Sequence, residues 1–227
     1  MTQTIDIYCE RIGSGFWAEP VNALTNLSFF IAATMVFLLA RKRSVSTLDI
    51  DLLIILLLCI GIGSSLFHTF ATPLAAAADV LPIMLFQITF LLSYSVRVMK
   101  LGIMKSMLLL LLFFFLIVLF GQFPQVWLNG SLAYFPALIV LLLFGISHVI
   151  SQRPERWVLL GAALIFGLSL AFRSVDMSLC DRFGMGTHFI WHLLNGLCLY
   201  LCLRGLIISL HSLNVATIEV ESKPNQK

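Results

Sequence analysis

Residues 50–70, "IDLLIILLLCIGIGSSLFHTF", decide the fold. After Asp51 the run stays apolar as far as Ser64. A helix of about 21 residues covers roughly 30 Å, the hydrocarbon thickness of a bilayer. Backbone groups in lipid must be satisfied within the protein, which leaves helices or a closed barrel. The apolar residues run continuously instead of alternating, and that excludes the barrel. Runs of the same kind recur at 20–40, 50–70, 77–96, 106–121, 131–150, 156–173 and 186–208. The expected fold is all-α: a polytopic seven-transmembrane helix bundle over 1–211, with a flexible polar tail at 212–227. Composition points the same way. Of 227 residues, 60% are hydrophobic and 11% charged, where a soluble domain carries roughly a quarter charged; mean hydropathy is +1.02.

Seven spans put the termini on opposite sides, and Lys and Arg decide which is which. With the N-terminus outside, only Arg11, Arg173 and Arg182 of the 14 Lys and Arg fall in outer segments. The other eleven, from Arg41 to Lys227, fall in inner ones. The count favours an N-terminus outside and a cytoplasmic C-terminus. Trp17 and Trp127 then sit at the outer boundary and Trp157 at the inner one, as interfacial anchors do. The chain opens without a basic n-region and cleavage site, so no removable signal peptide is expected. No basic, aromatic-interleaved stretch suggests nucleic acid. Short loops point to a bacterial inner membrane, with an internal eukaryotic membrane as the alternative.

The polar residues converge on this map. Ser64 and His68 fall near the outer end of the second span, and Asp79 near the outer start of the third. His188 and His192, in "GTHFIWH" (186–192), fall in the outer half of the seventh. Each pair, Ser64/His68 and His188/His192, is spaced i, i+4 and shares a helix face. Three neutral imidazoles plus water form a tetrahedral catalytic zinc arrangement with one open position. Asp79 can close that position, giving a structural site, or bond to the bound water. Taken singly, each residue has a plainer reading. A lone intramembrane His is an interhelical hydrogen-bonding residue, Asp79 a proton-relay group, Ser64 a small packing residue. Convergence at one depth favours zinc.

A second polar group lies near the N-terminus. Glu19, Asn22 and Asn26 repeat at i, i+3 and i+7 along one face, with Glu19 just before Pro20, where a helix start favours an anion. Capping with interhelical bonding is one reading. Support for the zinc site, or with Glu10 a carboxylate-rich calcium site, is the other. Cys9 and Cys180 both fall in outer segments and either form a disulfide, if that side is oxidising, or remain free thiols. Cys59, Cys198 and Cys202 lie inside spans and read as small apolar residues.

In "YCER", "AEPVNALTN", "GSSLFHT", the Asp79 that follows and "GTHFIWH", the chain resembles the alkaline ceramidases. These are seven-span zinc hydrolases related to the progestin and adipoQ receptors. The resemblance covers nearly the whole chain. It implies zinc held by His68, His188 and His192, with Asp79 and Ser64 as catalytic residues, and a disulfide between Cys9 and Cys180. It also implies Ca2+ at Glu10, Glu19 and Asn22, although Ile7 and Ile12 occupy positions where oxygen ligands are expected. The implied activity is hydrolysis of the amide bond of ceramide or a related N-acyl membrane lipid. The alternative is a non-catalytic lipid receptor or sensor with a structural zinc. A transporter would show Gly/Pro-broken spans in paired halves, which the sequence lacks.

Overall fold

The computed structural model describes residues 4–124 and 126–221. No strand occurs among the described residues. Seven segments are long and apolar enough to cross a membrane: Pro20–Lys42, Leu48–Phe70, Pro73–Val98, Ile103–Gly121, Trp127–Ile150, Val158–Val175 and His188–Ala216. The chain is a multi-pass integral membrane protein.

Helices α1 (Pro20–Thr25) and α2 (Leu27–Lys42) make up the first span, with Asn26 between them. There follow α3 (Leu48–Phe70), α4 (Pro73–Ser93, continued by a π turn at Tyr94–Val98) and α5 (Ile103–Gly121). A 3-10 stretch, Trp127–Tyr134, leads into α6 (Phe135–Ile150), and α7 (Val158–Val175) and α8 (His188–Glu221) complete the bundle. From α2 to α8 each helix packs on the next, and α8 returns to α2, so the bundle closes into a ring. The short connections impose this order, because consecutive helices joined by a few residues must be antiparallel neighbours. The pairs α3/α4 and α7/α8 pack most extensively, whereas α5 leaves most of its surface uncovered.

Several boundaries differ from those read in the sequence. The third span begins at Pro73, not 77, because Thr72 caps the helix, its hydroxyl accepting from Ala75 N at 3.2 Å, and Pro73 suits the first helical position. Helix α8 continues to Glu221, ten residues into the stretch read as a flexible tail. A formed helix propagates at one hydrogen bond per residue, and no Gly or Pro interrupts 212–221. Residues 222–227 lie outside the described residues. Arg173, counted above as a loop cation, is instead buried in the last turn of α7. Its guanidinium lies 5.3 Å from the centre of Tyr134 and 5.6 Å from that of Trp191, and donates to Asn129 O and Ser131 Oγ. Aromatic faces and acceptors contributed by the stretch before α6 and by α8 make that burial tolerable. His148 is likewise buried, between the Tyr94 hydroxyl at 2.6 Å and Pro154 O at 3.0 Å.

Candidate metal centre

The site forms at the end of the ring where the N-terminal segment, the α3–α4 turn and the loop before α8 gather. That segment is tied down by Ile5 N bonding to Ala71 O at 2.8 Å and by the Cys9–Cys180 disulfide. His68 lies in the last turn of α3, while His188 opens α8 with His192 one turn on. The structure brings these three together: one ring nitrogen from each lies within 4.8 Å of the others, and all three rings are buried.

Neighbours set which nitrogen is free. The Thr25 hydroxyl has Val21 O at 2.8 Å and Asn22 O at 3.1 Å to donate to, so towards His192 Nδ1, 3.0 Å away, it acts as acceptor. That puts the proton on Nδ1 and leaves Nε2 with its lone pair free. His68 Nδ1 faces the Glu19 carboxylate at 2.5 Å, which does the same for that ring. Nδ1 of His188 and Nε2 of His192 are buried without a hydrogen-bond partner. An orphaned buried polar atom costs about 1–3 kcal/mol, and a metal is the partner such converging imidazole nitrogens accept. The residues therefore fit zinc: three nitrogen donors, outer partners orienting at least two of them, and no fourth protein ligand in the group among the described residues.

Asp79 and Ser64 stand outside the cluster of ligating nitrogens. They line the same cavity as His188 and His192, with Ser64 beside Asp79. The backbone explains the pairing. A Cβ at Gly63 would lie 2.0 Å from Ala78 O and 3.0 Å from Asp79 N, so α3 and α4 touch backbone to backbone there. Pro82 has no N–H to give Ala78 O, four residues earlier, which frees that carbonyl to lean on Gly63. The cavity then descends between all seven spans, past Phe86, Phe113 and Phe144 to Cys198 and Cys202. Fourteen residues of α8 separate His188 from Cys202, about 21 Å of helix.

Three residues of the site escape a sequence reading. Tyr8 stacks on His188, ring centres 3.6 Å apart, and burial pushes its phenol well above the usual range. Arg173 approaches Tyr8 from α7. Fully buried Asp176 accepts from Cys9 N at 3.0 Å, Thr187 N at 2.6 Å and His188 N at 2.9 Å. It thus caps α8 at its first ligand and ties in the N-terminal segment. No spacing rule links an aspartate in a loop to a histidine twelve residues on.

Glu10, Glu19 and Asn22 also come together; both carboxylates are bonded to protein, while Asn22 Oδ1 is buried without a hydrogen-bond partner among the described residues. Glu10 accepts from Val21 N at 2.6 Å and Asn22 N at 2.7 Å. Glu19 binds Arg11 through one oxygen; the other takes His68 Nδ1 and, at 3.0 Å, Asn22 Nδ2. Burial pulls the Glu19 carboxyl upward, but the His68 and Asn22 hydrogen bonds and the charge of Arg11 outweigh it and hold it below the ordinary carboxylate range.

Among known proteins, a family model described as Ceramidase matches residues 1–222. No curated protein matches the chain.

Proposed function

Since the chain belongs to the ceramidase family, we propose that it is an intramembrane zinc-dependent amidohydrolase. Its substrate is ceramide or a related N-acyl lipid, cleaved with water to a fatty acid and a free sphingoid amine. The observation that carries this reading is the meeting of three buried imidazoles at the head of a deep apolar cavity that Asp79 and Ser64 also line.

His68, His188 and His192 would hold the zinc, which when bound supplies a Lewis acid and lowers the pKa of water to about 7. Asp79 takes a proton from the attacking water on its carboxylate and later delivers it to the leaving nitrogen, a base and then an acid. The Ser64 hydroxyl donates to the oxygen of the amide carbonyl as negative charge develops there. The Phe-lined shaft below receives a long alkyl chain and excludes water, and its depth of about 21 Å suits one acyl chain lying along α8. Membrane lipid enters from the bilayer, since the whole ring is lipid-embedded. An N-terminus outside and a cytoplasmic C-terminus would face the site away from the cytoplasm, in a bacterial inner membrane by preference. A disulfide at that end is consistent with an oxidising compartment.

The test joins elemental analysis to a hydrolysis panel. Purified protein should carry about one zinc per chain and release free amine from N-acyl sphingoid bases. Zinc without product from any N-acyl lipid would replace this reading with a lipid sensor holding a structural metal.

A further inference from the structure

The N-terminal end buries a charged cluster behind His68. Glu10, Arg11 and Glu19 are 7%, 6% and 1% exposed. The family resemblance implies calcium on Glu10, Glu19 and Asn22, and the residues present do not fit it. Calcium takes about six to eight oxygen ligands, yet all four carboxylate oxygens of Glu10 and Glu19 already accept protein hydrogen bonds, which leaves Asn22 Oδ1 as the one side-chain oxygen of the three implied ligands without a partner among the described residues. Ile7 and Ile12 offer no oxygen from their side chains and face outward, as does Asp6. The guanidinium of Arg11 meets the oxygen types such an ion would bind. It donates through Nε to Glu19, through NH1 to Gly13 O at 3.5 Å and through NH2 to His68 O at 3.1 Å.

We infer that Arg11 is the resident cation of this pocket in place of calcium, and that it positions His68 from two sides. His68 O belongs to the last turn of α3, where carbonyls lack helical donors and the helix dipole favours a cation. Arg11 fills that vacancy directly. Its second route runs through Glu19, whose other oxygen takes His68 Nδ1. A buried carboxylate needs a counter-charge, and one attached to the chain does not dissociate. The geometry of His68 is therefore insensitive to calcium concentration. Arg11 is a positioning residue; it does not itself line the cavity.

The test uses the full-length protein in detergent or nanodiscs, with calcium chloride as probe and magnesium chloride as control. Wild type should show no saturable calcium binding up to about 1 mM, the weak end for biological calcium sites, and no calcium-specific shift in its thermal midpoint. Arg11→Gln should lower the midpoint and acquire calcium binding at least tenfold tighter than wild type. Arg11→Lys should restore calcium insensitivity. Saturable calcium binding that raises the wild-type midpoint would overturn the inference, as would an Arg11→Gln protein indistinguishable from wild type. If Arg11→Gln does not fold, the wild-type titration still decides. A further arm rests on the zinc reading: Arg11→Gln should weaken zinc binding about 10- to 100-fold, the usual cost of losing an outer-sphere partner. Wild type that binds no zinc would defeat that reading alone and leave the calcium arms intact.

Discussion

One hydroxyl settles the state of His192. Thr25 accepts the Nδ1 proton and so turns Nε2 towards the other two rings. Thr25→Val keeps the shape and removes the acceptor, so zinc affinity should fall about 10- to 100-fold with the fold intact; competition with a fluorescent chelator measures it. A ligand is less forgiving. His68→Ala should lose both zinc and hydrolysis, and retention of stoichiometric zinc would dismiss the three-histidine site. Asp79→Asn separates binding from chemistry: zinc should remain near one per chain while turnover falls at least 100-fold, because an amide cannot take the proton. Full activity in that variant on a confirmed substrate would end the proposed mechanism. Asp176 matters differently, as acceptor for three buried N–H groups. Asp176→Ala strands all three, at about 1–3 kcal/mol for each.

Between elements, the decisive contact is α3 on α4. Ser64 and Asp79 are neighbours because Gly63 lets the Ala78 carbonyl approach its Cα, and because Pro82 leaves that carbonyl without a helical donor. Gly63→Ala would force a methyl group to within 2.0 Å of Ala78 O, so the helices must part. Activity should collapse and the thermal midpoint fall. Gly161→Ala on α7, where a Cβ meets nothing within 4 Å, is the control. It should leave activity unchanged and stabilise slightly, by up to about 1 kcal/mol. Equal effects at the two glycines would refute the close-approach account. Neither residue stands out by composition. "GIGSS" and "AAAADVLP" are legible as small-residue and proline-containing stretches, but the partner of each is set by packing.

Across the whole molecule, a ring of helices encloses one shaft and the N-terminal segment closes over its head. That segment depends on the Cys9–Cys180 bond, the Asp176 hydrogen bond to Cys9 N and the Arg11 contacts. Cys9→Ser with Cys180→Ser should lower stability by about 2–4 kcal/mol and reduce zinc retention on dialysis, since Tyr8 stacks on His188 from this segment. A midpoint unchanged by the double substitution would show the segment to be held without the bridge. The proposed orientation rests on loop charge. With Arg173 inside a span, Arg11 and Arg182 are the Lys and Arg left in outer segments, and the excess still lies on the inner side. A reporter fused after 221 should respond as cytoplasmic; the opposite response would invert the bundle.

Sequence alone was enough for the class of structure and for singling out three histidines that the fold brings together. Continuous apolar runs of bilayer length permit only helices, and that constraint acts locally within each span. The i, i+4 spacing of His188 and His192 is a property of one helix and needs no partner to be read. Ring closure was not legible, because which helices touch depends on side-chain surfaces meeting across long sequence separations. The same holds for Arg173, which has the charge of a loop residue and becomes a buried one only when aromatic faces from two other segments enclose it. Arg11 is the sharpest case. As a letter beside Glu10 it is one more outer cation, and only the tertiary structure sets it between Glu19 and the carbonyl end of α3, because a charge takes its meaning from the groups that surround it.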